Sequence, residues 1–242
     1  MVARTALAAL VFGVVAALPT ASQAEIIGVN LTGMNQTSLD ATDTTGVVPQ
    51  ANWNNAANAS GTLAGLVDAT AASTGASLTY SGSGTWASGS GTASANLKLY
   101  DGYIDTIPTS TPSLSTFTFS SLPSAAYNVI IYSMGDHNDR PASFSVNGSP
   151  SIYLVGDNAL TATQFAASFV RATATSLGGA GETGNYVEFD NVSSAGGITI
   201  VATPQNFRAA INGIQLVAAS VPEPATLGLI AVAALGLLIR RR

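Results

Sequence analysis

The chain has 242 residues, only 9% of them charged, and no cysteine. Disulfides, thiolate metal sites and cysteine nucleophiles are therefore excluded, and stability must come from packing and backbone hydrogen bonds. Between Glu25 and Ser220 stand twelve acidic and four basic residues, a net −8 that repels phosphate backbones and argues against nucleic acid as a partner.

Residues 1–24 read as a secretory signal peptide. Arg4 supplies the positive start, Leu7 to Leu18 is an apolar run, and Pro19 interrupts the helix. Ser22-Gln23-Ala24 places small residues at both specificity positions of a cleavage site, which predicts cutting by signal peptidase after Ala24. The stretch from Glu25 to Ser220 is long enough to bury one substantial core.

Strand signals then recur in chain order. Glu25 to Leu31 reads as a first strand, with Ile27 and Val29 on one face, and Ala76 to Tyr80 as another. Ser81 to Gly91 reads as a glycine-serine loop. Thr116 to Ser120 alternates with two phenylalanines on one face, whereas Tyr127 to Tyr132 is apolar on both faces and predicts a central strand covered on each side. Ser143 to Val146 and Ser151 to Val155 flank Asn147-Gly148, a hairpin signal. Gln164 to Arg171 is a further expected strand, followed by a loop from Gly178 to Gly184 with four glycines. Val187 to Asp190, Gly197 to Val201 and Ile214 to Val217 close the series. No amphipathic helix of normal length is apparent. Many short strands with glycine-rich turns predict an all-β fold, an antiparallel β-sandwich of jelly-roll type spanning 25–220.

Residues able to do chemistry are sparse. His137, the single histidine, sits in a polar loop, Met134 to Arg140, with no Gly-x-Ser-x-Gly nucleophile elbow anywhere in the chain. No catalytic residue is assigned, and the chain is not expected to be an enzyme. Asp136, Asn138 and Asp139 offer hard oxygen ligands to a structural calcium ion, though without the spacing of an EF-hand; Asp101 with Asp105 offers a second such pair. Trp53, Trp86, Tyr100 and Tyr103 are the candidate ligand-binding rings. Such rings stack on the apolar faces of sugars, with Asn52, Asn54 or Asn55 supplying amide hydrogen bonds. Core packing is the competing role for each ring.

The C-terminal end has three parts in order. Val221-Pro222-Glu223-Pro224 is a stiff, extended motif, residues 225–239 form an apolar helix-favouring run, and Arg240-Arg241-Arg242 is a basic stop. Fifteen residues of helix extend roughly 22 Å, shorter than a bilayer core of about 30 Å. The segment can insert with snorkelling arginines, leaving that end cytoplasmic, but makes a marginal permanent transmembrane helix.

This order of motif, greasy helix and arginines resembles the PEP-CTERM sorting signal, whose bearers are processed by membrane proteases called exosortases. The resemblance implies that the tail 221–242 is recognised at Pro222-Glu223-Pro224 and removed, and that the passenger is then released or attached at the cell surface. Three internal segments, Gly46 to Asn55, Leu99 to Tyr103 and Arg208 to Val217, resemble parts of uncharacterised β-sandwich passengers carried by such tails. The last is also similar to the closing strand of malectin-like or galactose-binding-like sandwiches, which implies a fold more than an activity. Together these readings describe an exported, non-enzymatic structural or interaction protein of the cell envelope or extracellular matrix, transiently anchored in the membrane. A carbohydrate-binding module with a polysaccharide partner is the alternative.

Overall fold

The computed structural model describes residues 25–33, 36–110, 113–137, 140–156 and 168–219. The expected leader with Ala24, the tail 221–242, and Asn138 and Asp139 lie outside the described residues. Within them the chain runs β1 (Ile26–Leu31), β2 (Asn54–Ala56), β3 (Ser60–Ala64), β4 (Ser77–Ser81), β5 (Gly84–Ala87), α1 (Ala95–Asp101), β6 (Gly102–Thr106), β7 (Ser115–Ser120), β8 (Ala126–Tyr132), β9 (Pro141–Val146), β10 (Ile152–Gly156), β11 (Thr183–Gly184), β12 (Tyr186–Ser193), β13 (Ile198–Pro204), β14 (Ala209–Ile211) and β15 (Gly213–Ala218).

These strands form a five-stranded sheet ordered β12-β8-β15-β1-β2, a seven-stranded sheet ordered β11-β10-β9-β13-β7-β4-β3, and a small sheet ordered β14-β6-β5. Pairing is antiparallel except for β1 with β2 and β10 with β11. The period-two alternation read in the sequence builds the core. Ile27, Val29, Val129, Ile131, Ile214 and Leu216 face inward from the first sheet, and Leu78, Phe117, Phe119, Phe144, Ile198 and Ile200 from the second. Register matches large side chains across strands: Phe119 lies opposite Ile198, Phe117 opposite Ile200, and Tyr80 stacks on Phe117 at 6.3 Å. The protein is thus a β-sandwich, and each such buried ring contributes about 1.5–3 kcal/mol of transfer free energy.

β8 is covered on both faces, as its composition predicts. Ile130 and Tyr132 point away from the main core into a second cluster with Leu39, Trp53, Leu99, Tyr100 and Met134. The Tyr132 ring meets Trp53 at 6.1 Å and Tyr100 at 5.9 Å, both edge-on. Its hydroxyl accepts from the Val47 amide at 2.7 Å and donates to Gln215 Oε1 at 2.8 Å. Gln215 in turn donates to Gln50 Oε1 at 2.9 Å, and Trp53 Nε1 donates to the Gln50 carbonyl at 3.1 Å. A Cβ at Gly28 would come within 2.6 Å of Gln50 Nε2, so the cover lies directly on bare β1 backbone.

Two sequence expectations are corrected, and the short helix α1 stays within the expectation of no helix of normal length. The glycine-serine stretch contains β5, which pairs with β6. A seven-residue helix, α1, is present, with Ser94 Oγ accepting from the Leu97 amide at its start. In the expected strand Gln164–Arg171, residues 164–167 lie outside the described residues, Ser168–Val170 are irregular, and Arg171 makes only an isolated bridge to Tyr186. There Asn185 Oδ1 takes the Val170 amide at 2.8 Å in place of a ladder, and Phe169 turns onto Tyr132 at 5.6 Å.

The sandwich has two distinct ends. The Ala218 amide donates to the Glu25 carbonyl and the Ala219 amide to the Ala126 carbonyl, so the chain enters at Glu25 and leaves past Ala219 at one end of the five-stranded sheet. About 20 Å along β1, Thr32 and Gly33 abut Gly102, Trp86 and Tyr103 of the small sheet. Among the described residues, no helix is long and apolar enough to cross a membrane.

Candidate functional site

Two of the three segments singled out in the sequence, Leu99 to Tyr103 and Arg208 to Val217, meet in one joint, and Gly46 to Asn55 reaches the last through Gln50 and Gln215. Asn212 donates to the carbonyls of Tyr100 and Gly102 at 2.9 Å each, and accepts from the Met134 amide at 2.6 Å. Gly102 crosses β1 so closely that a Cβ would sit 1.8 Å from the Thr32 carbonyl oxygen. The Tyr100 hydroxyl donates to the Asn185 carbonyl at 2.9 Å. These residues hold the outer cover, α1 and β15 together. That explains why Trp53, Tyr100 and Tyr103 are buried, and it corrects the reading of them as ligand-binding rings. A ring enclosed by its own fold has no face for a sugar. Asn54 and Asn55 are likewise engaged: Asn54 Nδ2 donates to the Gly28 and Val67 carbonyls, and Asn55 Nδ2 to that of Leu39.

Trp86 alone of the four is open, at 54% exposure, and Phe207 joins it at 52%. Register explains the arrangement. Trp86 lies opposite Tyr103, Gly84 opposite Asp105, and Asp105 opposite Ala210. Period-two alternation then sets Trp86, Tyr103 and Asp105 on the face of the small sheet turned away from the core that Ile104 and Ile211 enter; Tyr103 and Asp105 are covered there, Trp86 is open, and Arg208 just before β14 reaches Asp105. Gly84 leaves room for the Asp105 carboxylate, whose Oδ1 would lie 3.1 Å from a Cβ there.

On that face rings and guanidinium groups alternate. Arg208 lies over Trp86 at 5.4 Å and over Phe207 at 5.8 Å, and Arg140 lies over Phe207 at 5.4 Å. Each cation is also paired with an acid below: Arg208 Nη1 with Asp105, and Arg140 Nη1 with Asp136. Tyr103 donates its hydroxyl to Asp136 Oδ1 at 2.9 Å. Burial pushes the Asp105 carboxyl up, against the pull of Arg208. Burial, with Asp136 alongside, raises the Tyr103 phenol well beyond its usual range.

Two shallow hollows open beside the rings. Gln36, Thr85, Trp86 and Ala87 line one of about 270 Å³. His137, Arg140, Asn206 and Phe207 line the other, of about 240 Å³. Each combines an aromatic surface with groups able to bond hydroxyls.

The expected calcium ligands fare differently. Asp136 already holds a guanidinium and a phenol, so calcium there would have to displace Arg140; Asn138 and Asp139 lie outside the described residues. Asp105 is committed to Arg208, which removes the Asp101–Asp105 pair. No group of three acidic or histidine side chains suited to a metal occurs among the described residues. His137 Nε2 lies 3.7 Å from Asp136 Oδ2 on an exposed loop. Sequence reasoning missed Phe207 and the Arg208–Asp105 pair; the available signal was an aromatic flanked by Asn206 and Arg208 just before the closing strand.

Residues 220–242 match the family model described as the PEP-CTERM protein-sorting motif. No curated protein matches the chain. The motif implies an exosortase substrate, exported to the cell envelope or surface.

Proposed function

We propose that this is a non-enzymatic surface or extracellular-matrix protein, whose sandwich acts by packing and binding after its sorting tail is processed. The observation that supports this most is where the reactive side chains are spent. Tyr100 and Tyr103 bond within the interior, and Asp105 and Asp136 each neutralise an arginine. A hydrolase of polysaccharides would need two carboxyl groups facing one cleft with their protonation set apart. Incubating the full chain with envelope polysaccharides and measuring new reducing ends tests the reading. No turnover is expected; turnover abolished by Asp105→Asn would defeat it. For the tail, Glu223→Ala is expected to leave an unprocessed precursor on a gel of envelope fractions, because the stiff proline-flanked acid is the feature a protease cleft would grip.

The open Trp86 and Phe207, with hydrogen-bonding groups beside each, favour a second reading, a carbohydrate-binding module. It requires no catalysis and is compatible with the first.

A further inference from the structure

We infer that the outer face of the β14-β6-β5 sheet is a platform for a neutral polysaccharide, with one sugar stacked on Trp86 and the chain continuing past Phe207. The platform presupposes the carbohydrate-binding reading above, and supplies its place, ligand class and orientation.

Leaving two large rings half in water is costly, and the fold had alternatives: Trp53, Tyr100 and Tyr103 are all drawn inside. Trp86 and Phe207 instead remain open while one guanidinium, that of Arg208, touches both. The two ring centroids therefore lie at most about 11 Å apart, within the span of a short oligosaccharide. The rings are held before any ligand arrives, so little side-chain freedom is lost on binding. Gln36 beside Trp86, and Asn206 beside Phe207, can donate to and accept from sugar hydroxyls.

Charge selects the class of polymer. Both arginines on this face are already neutralised by Asp105 and Asp136, and residues 25–220 carry a net −8. Polyuronates and nucleic acids are therefore repelled, whereas a neutral glycan is not. Position points the same way. The face lies at the far end of β1 from Glu25 and Ala219, where the chain enters and leaves. A molecule attached at the cell surface through its processed C-terminal end would turn this face outward.

The test uses the full chain in detergent with β-glucan, galactan and mannan as neutral probes, and alginate as the anionic one. At least one neutral glycan is expected to bind and to shield Trp86 from acrylamide quenching, while Trp53 is already shielded by burial. Trp86→Ala is expected to weaken binding about tenfold, Phe207→Ala less, and Leu177→Ala, an exposed apolar control, not at all. Unchanged melting temperatures would show that the variants are folded. Neutral-glycan binding untouched by Trp86→Ala and Phe207→Ala would sink this site and spare the carbohydrate reading. Folded protein that binds no glycan would sink both. Binding only to alginate, weakened by salt, or a concentration-dependent dimer lost in Trp86→Ala, would overturn the neutral-glycan assignment.

Discussion

Tyr132 shows how much one side chain carries. Its ring joins Trp53 to Tyr100, and its hydroxyl links the Val47 amide to Gln215. Tyr132→Phe keeps the ring, strands the half-buried Val47 amide and leaves Gln215 Oε1 only the long 3.4 Å bond from the Val48 amide, so urea unfolding is expected to show a loss of about 1–3 kcal/mol. No loss would mean that water replaces the hydroxyl. Asp43 offers a separate test. Burial raises its carboxyl, but Lys98 at 2.8 Å and the Asp40 amide at 2.8 Å outweigh it, and its pKa falls below the ordinary 3.8. A depressed carboxylate contributes stability above its unfolded value and loses that contribution as pH drops through the folded one. Asp43→Asn should thus melt below the parent at neutral pH, with the gap closing below about pH 4. A gap independent of pH would contradict the Lys98 pairing as its cause.

At the scale of elements, the β9–β10 hairpin is the clearest case of sequence dictating geometry. Asn147 and Gly148 both take positive φ, 49° and 75°, as the central pair of a tight turn closed by the Ser149 amide on the Val146 carbonyl, inside the longer loop that leads to Ile152 opposite Phe144. A Cβ at Gly148 would meet nothing within 4 Å, so Gly148→Ala isolates backbone strain. The expected cost is about 1–2 kcal/mol in chemical denaturation; a neutral result would mean that the turn relaxes to another type. The strands legible in advance were those with one wet face or a strong apolar run: β1, β4, β7, β8, β9, β10, β12, β13 and β15. β6 was hidden because its buried positions include Gly102, Asp105 and Thr106, which give no apolar signal. β5 was hidden by its glycine-serine surroundings, and α1 by being a single short turn pair. Trp86 stood out by type alone. Phe207 did not, because its role depends on Arg208 finding Asp105 far away in the chain, a pairing with no local pattern.

The whole molecule is polar in its layout. Both chain exits sit at one end of the five-stranded sheet, and the open rings sit at the other. Such an arrangement suits a passenger that is exported, sorted through its tail, and presents a face away from the membrane. Sorting rests on the motif at 220–242. Its most direct test is the intact mass, with terminal peptides, of the protein recovered from its native envelope. The expected species is lighter than the 24.3 kDa chain, begins at Glu25 and lacks the apolar run and arginines. A mature species that still ends in Arg242 would contradict sorting through the tail.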